Sequence, residues 1–225
     1  MKMTKKNSFA VVILCLFLGS CVSSDFDKGM ICLRLGDYRR AAGHFDKVLE
    51  KKPADCKARI GLGKALLQKS IDNQQDSLAW REAVMNLEAA EALKCAGEIS
   101  GLLSQVWAER AGKLLKEKDT LQCLQALTRA IEYDPASAEP LNMAGIIYFR
   151  MGRIEKSRAI LKRAAAIDTA NPAACFNLGM IDWYEGNIES AHKEWLKALK
   201  CAPDDQEIIY WFARSEKRLR EASSQ

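Results

Sequence analysis

The stretch AGIIYFRMGRIEKSRAILKRAAAID, residues 144–168, returns in altered form as NLGMIDWYEGNIESAHKEWLKALKCAP, residues 177–203. Aligning the two sets a period of 34 residues, and four columns share it: Trp107, Leu141 and Cys175; Ala111, Gly145 and Gly179; Leu127, Leu161 and Trp195; Ala130, Ala164 and Ala198. A fixed period of this length marks a unit that cannot bury its apolar face alone and stacks on copies of itself. Each copy carries two amphipathic segments, a Gly turn (Gly36-Asp37, Gly152-Arg153, Gly186-Asn187) and a terminal breaker (Pro53, Pro135, Pro203).

Together with GDYRRAAGHFDKVLEKKP at residues 36–53, these segments resemble the tetratricopeptide repeat. That resemblance implies an all-α fold, a right-handed superhelical solenoid of helical hairpins. Five units are expected at 22–55, 56–103, 104–137, 138–171 and 172–205. The second is enlarged, with eight extra residues in SIDNQQDSLAW and six in CAGEISGLL, and Trp80 is expected to open its second helix. Cys95 and Thr169 replace the terminal proline in units two and four. Residues 206–225 read as a C-terminal capping helix and tail, with Asp204 or Asp205 as N-cap and KRLR at the helix end.

Residues 1–20 join the basic leader MKMTKKNS to the apolar run FAVVILCLFL, the pattern of a secretory signal peptide. Ten apolar residues fall short of the about 20 that a membrane-spanning helix needs. Leu18-Gly19-Ser20-Cys21 resembles the lipobox of bacterial lipoproteins, which implies acylation of Cys21 and a short tether over 21–25. Val22 in place of Asp points, within that resemblance, to the outer membrane. Loss of Lys2, Lys5 and Lys6 with the leader lowers the net charge from +5 to +2. That residual excess gives no basic stripe for nucleic acid.

No spacing in the chain matches a known catalytic chemistry. His44 and His192 lack Cys, Asp or Glu partners at ligand spacing and read as packing or surface residues; Gly63-Lys64 is followed by Ala65 rather than Ser or Thr. The expectation is a non-enzyme with no cofactor and no metal. Cys32 and Cys123 occupy inward slots. Cys56 and Cys95 bracket unit two, Cys175 and Cys201 bracket unit five, and each pair is a candidate disulfide; the alternative is partly buried thiols.

The concave face of such a stack is lined by first helices. Keeping one register places Phe26, Met30, Leu33 and Arg34, then Lys57, Ile60, Lys64 and Leu67, then Ala108, Gly112, Leu115 and Lys116 along it. The last two units add Asn142, Ile146, Phe149 and Arg150, then Phe176, Met180, Trp183 and Tyr184, with Tyr210 of the cap beside them. Asn142, Ile146, Phe149, Arg150, Phe176, Asn177, Met180, Trp183 and Tyr184, with Lys64 and Lys116, are the candidate partner-binding set; Trp183 has the alternative of packing on the cap helix. Asp182 stands where units three and four have Leu114 and Tyr148, and is expected to accept a hydrogen bond from a neighbouring helix. The whole resembles pilotin and Tad-type lipoproteins of type IV pilus systems. That implies a periplasm-facing, lipid-anchored scaffold for protein or peptide partners in the cell envelope during assembly of a pilus or secretin. A rival reading is an adaptor for peptidoglycan hydrolases or proteases; a more distant one is an enzyme or small-ligand receptor.

Overall fold

The computed structural model describes residues 24–72, 78–96 and 99–223. The leader, Cys21, its tether as far as residue 23, and residues 73–77 of SIDNQQDSLAW lie outside the described residues. Eleven helices run through them: α1 (Asp25–Arg34), α2 (Tyr38–Lys51), α3 (Cys56–Asp72), α4 (Ala79–Ala92), α5 (Ile99–Lys116), α6 (Thr120–Tyr133), α7 (Ala138–Arg150), α8 (Ile154–Ile167), α9 (Pro172–Tyr184), α10 (Ile188–Cys201) and α11 (Gln206–Ser223). No described helix is long and apolar enough to cross a membrane. The chain divides into two compact units, residues 1–102 and 103–225, the division falling within α5.

Local chemistry sets the helix ends. The carboxylates of Asp37 and Asp119 accept from the backbone N–H groups of Arg40 and Gln122, and Asp205 accepts from Glu207 and Ile208 at the start of α11. These caps satisfy donors that the first turn leaves free. The turns α1–α2, α7–α8 and α9–α10 need a left-handed residue, filled by Gly36, Gly152 and Gly186; in the α5–α6 turn Lys118 takes that conformation at φ 62°.

Each hairpin closes by one substitution rule: a small residue on the first helix receives a large one from the second. In the first unit, Phe45 of α2 lies on Gly29 of α1, and Leu87 of α4 lies on Gly63 of α3. In the second, Leu161 lies on Gly145, and the Trp195 ring lies on Gly179, where an added Cβ would meet its Nε1 at 2.5 Å. The partners are sixteen residues apart in sequence except in the α3–α4 hairpin, where Gly63 and Leu87 are twenty-four apart. The eight extra residues therefore fall between these two packed positions, and part of them lengthens α3, which runs to Asp72, rather than the connection alone. Helix α4 opens at Ala79, one residue before Trp80.

Hairpins also pack in series. In the first unit α2 meets both α1 and α3; in the second α8 meets both α7 and α9, and α7 touches α9 directly. Helix α11 lies on α10 and buries Ile208 and Ser215. Helix α5 starts five residues before the expected 104, since Ile99 and Leu103 are buried and lengthen it rather than forming a loop.

Candidate functional site

The first helices of the second unit, α7 and α9, share a face that α11 prolongs. On it, Asn177 Nδ2 donates to Asn142 Oδ1 at 3.1 Å, and the rings of Phe149 and Tyr184 meet at 5.3 Å between centroids. The two asparagines are thus partnered with each other, leaving further donors and acceptors on each amide for a ligand. Tyr184 is 69% exposed, Arg150 is exposed, and Ile146, Phe176, Asn177 and Met180 are half-buried.

Trp183 is placed differently from these. Its ring meets Trp195 and Trp211, both at 5.7 Å, so it is half-buried against the cap helix rather than standing free. Lys116 is exposed at the end of α5, and Lys64 is exposed on α3 in the other unit. Leu67 and Ala108, set on the groove line by register, are buried, Leu67 to 1% exposure. They pack inward because α3 and α5 each bury more than one stripe of side chains.

Among the described residues, two side chains donate to Asp182. Arg158 Nη1 of α8 and Ser190 Oγ of α10 both reach its carboxylate, the latter at 2.6 Å, and Arg158 Nη2 goes on to Glu185. Asp182 is 3% exposed, and the three helices meet on it. Burial alone would weaken the Arg158 guanidinium, but hydrogen bonding and attraction to Asp182 and Glu185 outweigh it and push its pKa up. A buried carboxylate needs hydrogen bonds as well as a counter-charge, and the Ser190 hydroxyl supplies a donor to the second oxygen.

Behind this pair, between α8 and α10, a cleft of about 610 Å³ is lined by Lys162, Lys197, Cys175 and Cys201 among others. The candidate disulfide there is not formed: Cys175 is half-buried, Cys201 exposed, and both are thiols. Cys201 turns instead toward the Thr169 carbonyl, 3.5 Å away. The other candidate pair is joined, Cys56 to Cys95 with Cα atoms 5.5 Å apart. Cys123 is buried and donates to the Ala111 carbonyl at 3.2 Å, as Ser157 does to Gly145 at 2.7 Å one repeat later. His44 meets Asp25 at 3.4 Å, and His192 stacks on Phe212 with Ser215 at 2.9 Å. No group of three His, Cys, Asp or Glu side chains among the described residues is arranged to hold a metal ion.

Two family models match the chain, both of the tetratricopeptide repeat, over residues 26–80 and 114–174. The chain belongs to the tetratricopeptide repeat family. Solved structures of the same kind overlay it at low identity. Pseudomonas aeruginosa PilF aligns with a TM-score of 0.57 and 14% identity, over 88% of this chain and 84% of that one. YrrB, described as a tetratricopeptide repeat protein with an unusual peptide-binding site, gives 0.54 and 19% over 83% and 89%; MamA gives 0.53 and 20% over 77% and 93%. These likenesses show a common fold. No curated protein sequence matches the chain. As a tetratricopeptide repeat protein it has the architecture of a scaffold suited to protein–protein interaction.

The repeat register also reaches a residue that sequence reading passed over. Continuing the column of Ile146 and Met180 by 34 residues arrives at Arg214, just as Asn142 and Phe176 lead to Tyr210.

Proposed function

We propose that this tetratricopeptide repeat protein is a docking scaffold for protein partners in the bacterial envelope, lipid-anchored through Cys21 and facing the periplasm from the outer membrane. The observation that carries the docking reading is the Phe149–Tyr184 pair. It presents the exposed Tyr184 ring, held against half-buried Phe149, beside Arg150 and next to the Asn142–Asn177 contact. A few aromatic and arginine side chains supply most of the energy in such contacts. The Cys56–Cys95 disulfide supports export, since disulfides persist in oxidising compartments. Assembly of a pilus or secretin is the envelope process that best suits a short lipid-anchored repeat protein.

The test is co-purification from detergent-solubilised envelope, with mass spectrometry to identify the bound partners. Pilus or secretin components should be recovered with the wild type and lost with a Phe149→Ala, Tyr184→Ala variant of unchanged helical content. Recovery of peptidoglycan hydrolases instead would replace the assembly role with recruitment. Partners retained by the variant would move docking off this face. A Cys21→Ala protein that matures and stays with outer membranes after salt washing would end the anchoring proposal, because stable attachment needs the acyl chains.

A further inference from the structure

Helix α11 carries four basic side chains from its middle onward, Arg214, Lys217, Arg218 and Arg220. Lys217 and Arg218 pair with Glu221, and Arg220 pairs with Glu216. Arg214 alone of the four has no carboxylate partner among the described residues. Its guanidinium lies over aromatic rings instead, 5.2 Å from the centre of Trp211, 5.4 Å from Trp183 and 6.0 Å from Tyr210, and Nη1 donates to the Tyr210 hydroxyl at 3.0 Å. Ring faces fix a guanidinium in position without neutralising it, so its remaining N–H donors stay available in a fixed fork. That fork matches a carboxylate, which can accept two parallel bonds from it.

The surroundings are apolar bodies with polar tips. Tyr210 is 56% exposed and contacts Trp211 at 5.5 Å. Arg150, on the same series of first helices, is exposed and likewise has no acid partner among the described residues. The chemistry presented is an unneutralised cation beside exposed rings.

We propose that Arg214, with the rings of Trp183, Trp211 and Tyr210, forms an acid-reading subsite of the docking face. It takes a partner's peptide segment in which an Asp or Glu stands next to an aromatic or long apolar residue. This rests on the reading of the α7–α9 face as a docking surface. The cap helix then does more than cover α10, because it supplies the charge that selects among partners. Trp183 has a role in the same subsite, holding Arg214 rather than meeting the ligand with its own face.

The experiment is selection of random twelve-residue peptides displayed on phage against the full mature protein, repeated with Arg214→Gln and with Phe149→Ala, Tyr184→Ala. The wild type should enrich acids adjacent to aromatic or leucine residues. Arg214→Gln should lose the acid enrichment while keeping the apolar one. In solution it should bind a selected acidic peptide about tenfold more weakly, with no change for that peptide's Asn/Gln counterpart. The ratio of the two affinities on one variant does not depend on how much of it is folded. Arg214→Lys, a point charge without the fork, should recover only part of the discrimination. Equal discrimination in Arg214→Gln, or apolar enrichment without acids in the wild type, would overturn the subsite and leave the docking face standing. Peptides that bind the Phe149→Ala, Tyr184→Ala variant unchanged, or no enrichment at all, would remove the docking face and the subsite with it.

Discussion

The hairpins α3–α4 and α9–α10 have the same plan and a cysteine near each end, yet one is closed covalently and the other is not. In the first, Leu87 against Gly63 is the large-on-small contact, the two stand eight residues further apart in sequence than the matching pairs of the other repeats, and Cys56 is bonded to Cys95. In the second, Trp195 fills the place of Leu87 and stacks with Trp183 and Trp211, while Asp182 ties α9 to α8 and α10. Burial, with further repulsion from Glu194, pushes the Cys175 thiol up. A long connection makes hairpin closure entropically dearer, and a disulfide removes that cost from the unfolded chain. Where a tryptophan cluster and a buried ion pair already hold the helices, the thiols stay free.

Removing the staple should have the largest effect. Cys56 and Cys95 are 39 residues apart, a loop whose closure is worth about 4 kcal/mol in the chain-entropy account. A Cys56→Ala, Cys95→Ala protein should lose a stability of that order in urea denaturation, and reductant should no longer shift its midpoint. A loss below about 1 kcal/mol would mean that the α3–α4 hairpin closes on its packing alone.

The corresponding break in α9–α10 is Arg158→Ala. It leaves Asp182 buried with Ser190 as its hydrogen-bond donor among the described residues, and stranding a buried charge costs about 3 kcal/mol at the low end of its range, appropriate because Arg158 retains some exposure. Adding Asp182→Leu, the residue type at the same register in α5, should restore about 2 kcal/mol of this. If the double variant is no more stable than the single one, the acid was not the source of the penalty.

A smaller effect belongs to Asp46 of α2, whose carboxyl is pushed above its ordinary value by burial and then by Glu82 of α4 and Glu50. The raised folded pKa means that the ionised form is disfavoured in the folded chain. The penalty is present above the folded pKa and absent below the unfolded one. Asp46→Asn should therefore raise stability at pH 7 by roughly 0.5 kcal/mol after solvent screening, and the gain should vanish as pH falls through the carboxylate range. A gain that persists at pH 3 would assign the effect to packing.

The repeat could be read in the sequence because close helix crossing demands a small residue at Ala111, Gly145 and Gly179 and a large one at Leu127, Leu161 and Trp195. The same rule held at Gly29–Phe45 and Gly63–Leu87, but the insertion hid the second of these from a 34-residue comparison. The start of α5 was missed because Ile99 and Leu103 follow a segment with Gly97, which reads as a linker until their burial is seen. Register alone placed Phe149 and Tyr184 on one face, and neighbouring first helices bring them into contact. It could not separate Trp183, at the border of that face, from the cap packing that claims it. The basic partner of Asp182 lies 24 residues earlier, off every periodic column, and the want of an acid partner at Arg214 among the described residues depends on which acids its neighbours engage. Columns report what recurs, and a site departs from the repeat.

The sharpest use of the contrast between the hairpins is the one with the smallest expected effect. Cys201 is exposed, and its visible contact is a weak donor interaction with Thr169, so Cys201→Ser should change stability by no more than about 0.5 kcal/mol. Thiol titration should show Cys201 reacting first in the folded protein. In denaturant without reductant, Cys32, Cys123, Cys175 and Cys201 should all titrate while Cys56 and Cys95 do not. A serine at 201 keeps the size and the donor and removes only the ability to form a bond. A destabilisation close to that of the Cys56→Ala, Cys95→Ala protein, together with two missing thiols, would show that α9–α10 is stapled as well. The aromatic cluster and the Asp182 ion pair would then not be substitutes for a disulfide. If the change is silent and all four thiols are counted, the α9–α10 hairpin holds by packing and charge, and it does so beside the face proposed for docking.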